Sequence, residues 1–347
     1  MTPRPRPPAP GPVLAGLALA LGLAILVAAA VGSVAVPLDA EIQVLLGRLG
    51  LGSRDAVSPQ WDAIFFLIRL PRVLGAALIG GVLAVAGASL QALLRNPMAD
   101  PGVLGVSAGA GFGAVVSIGL GWAALSLWVT PVFAVVGALV ASSAILGLTL
   151  ARGPLALLTL ILAGIAVSTF FGAGTSLVLS LVSRDSVAQF VFWSMGSLAP
   201  LRWETLGVVA VPALAATAGL LILGRVLNVL LLGEDEARSV GVDVKAVRIL
   251  VLVLVSVATA GAVCVCGPIS FVGLMVPHLL RLVLGPDNRT LLPASALAGA
   301  LFLVTCDGLS RVVAGAQEVN IGVVTALLGA PYFLFLLLRQ GKGGPTL

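Results

Sequence analysis

Few side chains in this sequence could perform covalent or metal chemistry. His278 is the one histidine, and the three cysteines, Cys264, Cys266 and Cys306, all lie in apolar runs. Cys264 and Cys266 are two residues apart, so a helix would point them to nearly opposite faces. The sequence has no catalytic serine–histidine–aspartate or metalloprotease spacing and no G-x-x-x-x-G-K-[ST] phosphate loop. We therefore expect no catalytic residue, no metal site and no cofactor bound by this chain, and we interpret the cysteines as packing residues.

Charged side chains gather instead at the ends of apolar runs. Arg69 and Arg72 open the run RLPRVLGAALIGGVLAVAGASLQALLRNPMADPG, and Asn96 and Asp100 stand near its close. Asp100 precedes a proline, which is the usual order of a helix N-cap and its first residue. An arginine fork can bind a carboxylate or anchor a helix at lipid headgroups, and both interpretations of Arg69 and Arg72 stay open.

A second charged stretch, GEDEARSVGV, separates two apolar runs. Acidic residues 234–236 begin it and Arg238 follows, an order that suits the dipole of a short helix between Gly233 and Gly241. Either an ordinary solvated loop or a helix that docks into another protein fits this pattern.

The composition predicts a membrane protein. Of 347 residues, 59% are hydrophobic and only 10% are charged, whereas soluble domains carry about 25% charged residues. The net charge of +5 could suggest nucleic acid, but the basic residues are scattered singly between apolar runs, so we expect no nucleic-acid partner. An all-α polytopic chain in a lipid bilayer is the natural class.

Apolar runs long enough to cross a bilayer recur ten times. They cover about 13–36, 70–94, 103–121, 126–151, 155–182, 205–225, 246–267, 271–285, 291–313 and 321–339. The first is longer than the apolar core of a signal peptide, so we expect a retained span. We predict one transmembrane domain over 13–340, with cytoplasmic tails over 1–12 and 341–347. The eighth span is short, so it is either tilted or continued by the turn 267–270 under the shield of other helices.

Charge and tryptophan positions predict the orientation. Ten spans put both termini on one side, and twelve of the 19 basic residues lie on that side. Because basic residues favour the cytoplasm, both termini are predicted to be inside. All five tryptophans then fall at outward ends or loops, as interface anchors do.

Small residues recur at the spacing of helix contacts. Such stripes allow close approach of helix backbones, the main source of cohesion between helices in lipid. The two stripes are Gly80, Ala84 and Ala88, and Gly105, Gly109 and Gly113.

The spans carry no ladder of carboxylates such as an ion-coupled carrier usually needs. A self-powered secondary transporter and an intramembrane enzyme are therefore disfavoured. A chain that moves a solute without such groups must take its energy from a partner.

Six motifs together resemble the FecCD-type permeases, the membrane subunits of binding-protein-dependent ABC importers for haem, iron–siderophore complexes and cobalamin. They are RLPRVLGAALIGG, QALLRNPMADPGVLGVSAGAG, FWSMGSL, LGEDEARSVGV, GPISFVGLMVPHLLR and EVNIGVVTALLGAPYF, in family order over about residues 60–339. The resemblance implies the type II importer fold with about ten transmembrane helices in the bacterial inner membrane. It also implies a permease homodimer, two copies of a separate ATPase that uses the ATP, and a substrate-binding protein outside. The chain itself would then not be an enzyme.

The resemblance also assigns roles to residues. Arg69, Arg72 and Arg311 match arginines that receive glutamates of the binding protein, although Asp307 lies four residues before Arg311 and could pair with it. Asn96 and Met98 match positions near a cytoplasmic gate, and a simple cap and turn remains the alternative. The ATPase-coupling helix, within the loop 227–245, matches Gly233, Glu234, Asp235, Glu236, Ala237, Arg238, Ser239, Val240 and Gly241.

The expected function is import of an iron complex by ATP-driven alternating access. Haem is favoured over a ferric siderophore because FWSMGSLA looks closer to the haem and iron members. Import of cobalamin is the alternative. Since the motif around His278 also occurs in cobalamin members, we favour packing over haem ligation for this side chain.

Overall fold

The computed structural model describes residues 9–32, 38–48, 58–151, 157–313 and 318–340, and the regular elements within these ranges are helical. Most of the two predicted tails lies outside the described residues. In chain order the helices are α1 (Pro10–Ala30), α2 (Leu38–Arg48), α3 (Pro59–Leu94), α4 (Val106–Gly119), α5 (Val129–Ala151), α6 (Leu157–Leu181), α7 (Arg184–Ser194), α8 (Trp203–Ile222), α9 (Gly224–Leu232), α10 (Glu234–Ser239), α11 (Val244–Cys266), α12 (Val272–Leu284), α13 (Asn288–Val312) and α14 (Ile321–Gln340).

The predicted spans correspond to helices of this bundle, which confirms the all-α polytopic class. Among the described residues, seven helices are long and apolar enough to cross a membrane: α1, α3, α5, α6, α8, α11 and α13. Three shorter apolar helices, α4, α12 and α14, account for the other predicted spans. The short helices α2, α7 and α9 were not predicted.

Helix α3 forms the centre of the bundle. Of its most apolar stretch 83% is buried inside the protein, against 11% for α1. It packs against α13, α11, α12 and α8, so each of these helices is positioned by one common neighbour.

The predicted small-residue stripes lie where helix backbones touch. A Cβ at Gly80 would overlap the carbonyl of Gly299 on α13, and one at Gly109 would overlap the carbonyl of Gly137 on α5. The stripes are therefore confirmed as close-packing surfaces. Gly105 is the exception, because it precedes α4 with a left-handed φ of 67° and serves as a turn rather than as part of the helical stripe.

The link between α11 and α12 is a break inside the protein rather than a surface loop. The carbonyl of Cys266 accepts a hydrogen bond from the backbone N–H of Ser197 at 2.7 Å. A Cβ on Gly196 would lie 2.6 Å from the carbonyl oxygen of Pro268. The turn 267–270 is thus packed against the segment after α7, and irregular backbone in a membrane protein is tolerated where other protein covers it.

A side chain of α3 replaces a backbone hydrogen bond that α12 lacks. Pro277 has no N–H with which to bond the carbonyl of Gly273 four residues earlier. The Nε2 of Gln91 donates to that carbonyl and to the carbonyl of Leu274, at 3.2 Å each. The proline therefore stays in the helix without leaving a buried acceptor unsatisfied.

Candidate functional sites at the two ends of the bundle

The end of the bundle that holds Arg69, Arg72 and Arg311, called here the arginine end, contains a buried ionic cluster. Asp307 on α13 has no exposed surface and accepts a 2.9 Å hydrogen bond from Nε of Arg72 on α3. Its second oxygen lies 3.0 Å from Nη2 of Arg311, one turn later on α13. The intrahelical pair that the spacing of Asp307 and Arg311 permits is therefore present.

Two of the three arginines also bind the last carbonyls of α1. Nη1 of Arg69 donates to Ala29 and Ala30 at 2.9 Å each, and Nη1 of Arg311 donates to Val31 at 2.6 Å. The last four carbonyls of a helix lack partners within it, and positive charge is favourable there. These bonds fasten the end of the first helix to α3 and α13.

Two carboxylates outside the central helices complete the cluster. Glu41 on α2 lies 3.8 Å from Nη1 of Arg69, and Oε2 of Glu318, before α14, accepts from Nη1 of Arg72 at 2.7 Å. Burial raises the pKa of Glu41, and the nearby guanidinium of Arg69 opposes this shift. The Glu318 side chain is 33% exposed and is thus the acid of this cluster most open to exchange.

The structure brings the three predicted docking arginines together but does not present them to solvent. They are between 4% and 8% exposed, and each binds acids or carbonyls of the chain itself. Reasoning from the sequence missed Glu41 and Glu318 as partners. The docking role stays a prediction.

The opposite end, called the α10 end, carries the charged stretch 233–241 as a short helix. Gly241 has φ of 84°, and its N–H bonds the carbonyl of Arg238 at 3.0 Å. The N–H of Val242 bonds the carbonyl of Ala237 at 3.0 Å, which completes a Schellman cap. The helix expected between the two glycines is present, and Arg238 on its surface is 62% exposed.

Helix α10 is fastened to the long helix that follows it. Glu234 accepts a short hydrogen bond from Arg248 on α11 and lies 3.5 Å from Arg238. On the inner face of α10 the side chain of Ala237 is fully buried. The exposed residues include Asp235, Glu236, Ser239 and Val240. The sequence did not reveal Arg248 as a partner, because the pair joins two different helices.

The two predicted gate residues form a tight turn after α3. Oδ1 of Asn96 accepts from the backbone N–H of Met98 at 2.9 Å, and Oδ1 of Asp100 accepts from Gly102 at 2.7 Å. The turn and the cap are thus confirmed, and the cap begins a 3-10 turn rather than α4 itself. Burial raises the pKa of Asp100, and the Gly102 hydrogen bond opposes this shift. Met98 lies beside His278 at a narrow apolar cavity, and the gate assignment stays a prediction.

The candidate redox and metal-binding side chains are dispersed. Cys264, Cys266 and Cys306 are buried free thiols, and the first two donate to carbonyls within α11. His278 is buried with its ring 6.4 Å from that of Tyr332. Within the described ranges, no three histidine, cysteine or acidic side chains come together as metal ligands would.

Comparison with known proteins agrees with this architecture. The FecCD transport family matches residues 19–339. The chain belongs to the FecCD transport family. It is 41% identical over 281 residues to the hemin transport system permease of Yersinia pestis, covering 80% of this chain and 84% of the relative. It is 45% identical over 270 residues to the cobalamin import system permease of Halobacterium salinarum, and the match covers 78% of this chain and 72% of the relative.

A solved structure supports the same fold for this FecCD protein. An inward-facing structure of a metal-chelate type ABC transporter superposes with a TM-score of 0.82 at 32% identity, covering 94% of this chain and 99% of that chain. The membership inferred from the six motifs and the type II importer fold are therefore confirmed.

Removing the central acid of the arginine end should destabilise the protein severely. In Asp307→Asn, two buried guanidinium groups lose their shared counter-charge, which should lower the free energy of unfolding by about 3–5 kcal/mol. The measurement is denaturation of the purified variants in detergent. Asp62→Asn is the matched control, because its 2.6 Å ion pair with Arg48 is about one third exposed and should matter little. Equal losses of stability in the two variants would contradict the assigned role of Asp307.

Proposed function

We propose that the chain is the transmembrane permease subunit of a binding-protein-dependent ABC importer and works by ATP-driven alternating access. The observation that carries this proposal is the family match over residues 19–339, supported by a 32% identical ABC transporter of the same fold. A separate ATPase would supply the energy, in keeping with the absence of a phosphate loop in this sequence.

The proposed cargo is an iron complex, with haem first and a ferric siderophore next. The hemin permease at 41% identity and the metal-chelate type transporter at 32% support this choice. The cobalamin permease at 45% supports the alternative, so identity alone does not separate the two cargoes. Neither cargo needs a ligand from this chain, because the binding protein would select it.

The proposed assembly is a permease homodimer with two ATPases and one binding protein in the bacterial inner membrane. One transmembrane domain over 13–340 would have its tails, 1–12 and 341–347, in the cytoplasm. The arginine end would face outward, where Trp203 donates to the carbonyl of Phe66 at 2.7 Å near the start of α3. The α10 end would face the ATPase.

We propose that α10 rests on the ATPase and passes its movement to α11. The ion pair of Glu234 with Arg248 joins these helices, and the far end of α11 meets the segment after α7 at the turn 267–270. A shift of α10 would thus move α11 as a rigid body and displace the turn 267–270. That displacement would change access to the transport pathway. Asn96 and Met98 are proposed to narrow the cytoplasmic side of that pathway.

Docking of the binding protein would require an exchange of carboxylates at the arginine end. Arg72 already binds Asp307 with Nε and Glu318 with Nη1. Since Asp307 is fully buried and Glu318 is one third exposed, we propose that a glutamate of the binding protein replaces Glu318. The arginine fork would then keep two carboxylate partners throughout.

The class and the cargo can be tested in proteoliposomes that contain the permease, its ATPase and its binding protein. We expect ATP-dependent uptake of haem to exceed that of a ferric siderophore and of cobalamin. Uptake of cobalamin alone would keep the importer class and contradict the haem assignment. Uptake without any ATPase would contradict both.

The coupling role is best tested at Arg238, because this side chain is exposed and its loss leaves the pair of Glu234 with Arg248 intact. Arg238→Gln should lower both uptake and the binding of the ATPase by about tenfold or more, as expected for a central interface side chain. Lys245→Gln, an exposed charge at the same end, is the matched control and should stay within twofold of the wild type. A self-powered carrier would transport normally with either change.

The exchange at the arginine end predicts opposite effects of two substitutions. Arg72→Gln should weaken binding of the binding protein, whereas Glu318→Gln should strengthen it several-fold by removing an internal competitor. Affinity can be measured with the permease in nanodiscs, with Asp62→Asn as a control at the same end. Weaker binding in Glu318→Gln would show that Glu318 supports docking rather than competing with it.

A further inference from the structure

The lining of a polar cavity at the α10 end includes Asn96 of the proposed gate, but the function proposed above gives this cavity no ligand. The cavity has a volume of about 320 Å³ and lies between the end of α3, the end of α9 and the link from α12 to α13. This volume is at the lower limit for small-molecule sites. Among the described residues no carboxylate lines the cavity, and the polar lining consists of Gln91, Arg95, Asn96, His278, Arg281 and Asn288.

The two arginines of the cavity have no counter-charge within the part of the chain that the structure describes. Arg281 is partly buried, Arg95 is exposed, and neither guanidinium makes a hydrogen bond or ion pair there. The carboxylate of Asp287, beside the cavity, already accepts from Asn228 at 2.6 Å and from the N–H of Arg289 at 2.9 Å. A partly desolvated guanidinium without a partner is unfavourable, so the cavity is suited to an anion.

Three further lining residues each keep a buried polar atom without a partner among the described residues: Oε1 of Gln91, Nδ1 of His278 and Oδ1 of Asn288. The amide orientations follow from their neighbours. Nε2 of Gln91 donates to two carbonyls of α12, and Nδ2 of Asn288 donates to Oδ1 of Asn228 at 2.9 Å. The two free amide oxygens are therefore acceptors. Both have no surface open to the cavity, so the guanidinium groups of Arg95 and Arg281 are the groups left to bind a ligand.

We propose that this cavity binds a phosphate group, either free or in the headgroup of an anionic phospholipid. The forks of Arg95 and Arg281 would bind the phosphate oxygens, as arginine does in many phosphate sites. Leu231 and Leu282 give the cavity an apolar side for the rest of the ligand.

A phosphatidylglycerol headgroup from the lipid and free phosphate from solution both carry phosphate oxygens that an arginine fork can bind, so both are candidate ligands. Bound ligand would contact Leu231, three residues before α10, and would brace the segment that carries α10. Binding does not require transport, an ATPase or a binding protein, so it can be measured on the purified full chain alone.

The lipid source is tested by native mass spectrometry of the purified protein with phosphatidylglycerol and, as a comparison, phosphatidylcholine. The free source is tested by the thermal unfolding midpoint in inorganic phosphate against chloride at equal ionic strength. We expect Arg281→Gln to weaken binding of the active probe by about tenfold or more, the effect of one lost charged hydrogen bond. Arg95→Gln, a change at an exposed residue, should weaken binding of the same probe even if Arg281→Gln folds poorly.

Arg225→Gln is the matched control, since Arg225 is an exposed arginine at the start of α9 that does not line the cavity. Selective retention of phosphatidylglycerol that is lost in Arg281→Gln or Arg95→Gln but kept in the control supports the lipid source. A phosphate-dependent midpoint shift with the same pattern supports the free source. Binding of neither probe, or equal binding in wild type and both cavity variants, overturns the proposal.

Discussion

The side chain of Asp307 has no exposed surface, and the other charged residues of the arginine end are arranged around this buried carboxylate. A buried carboxylate is tolerable only when its oxygens are paired, and Arg72 and Arg311 pair both of them. These guanidinium groups and Arg69 have donors to spare, which bind the end of α1 and the carboxylates of Glu41 and Glu318. Three arginines and three acids thus compensate one another.

This cluster matters most for α1, the least buried of the seven helices that are long and apolar enough to span a membrane. Lipid tails are as apolar as leucine, so an apolar helix gains little by leaving lipid for protein. Only 11% of the apolar stretch of α1 is buried, whereas its last carbonyls are held by Arg69 and Arg311. Polar bonds at one end therefore compensate for the small packed area. Backbone carbonyls inside the bundle also need hydrogen-bond donors, which explains why Gln91 donates to the carbonyls of α12 beside Pro277.

The spans, the small-residue stripes and the short helix α10 could be predicted because each depends on local sequence. Bilayer thickness sets the length of an apolar run, and backbone contact demands glycine or alanine at fixed spacing. The partners of the arginines could not be predicted, because Arg72 and Glu318 are 246 residues apart. An arginine guanidinium binds a carboxylate of its own chain as well as one of a partner protein. The residue type alone therefore does not predict whether the arginine side chain is buried or exposed. The shift of Gly105 out of its stripe likewise depends on a turn conformation that its spacing does not specify.

The arginines at the two ends of the bundle differ in the counter-charges that surround them. At the arginine end, described residues of α2, α13 and the segment before α14 supply counter-charges to the three arginines. At the α10 end, Arg281 and Arg95 line a cavity with no carboxylate among its described lining residues, and Oδ1 of the nearby Asp287 accepts from Asn228. The hydrogen bond from the N–H of Arg289 lowers the pKa of Asp287, which keeps this acid charged and bound to its own neighbours. Two guanidinium groups that lack a counter-charge among the described residues are what we expect at a site that an anion from outside the chain completes.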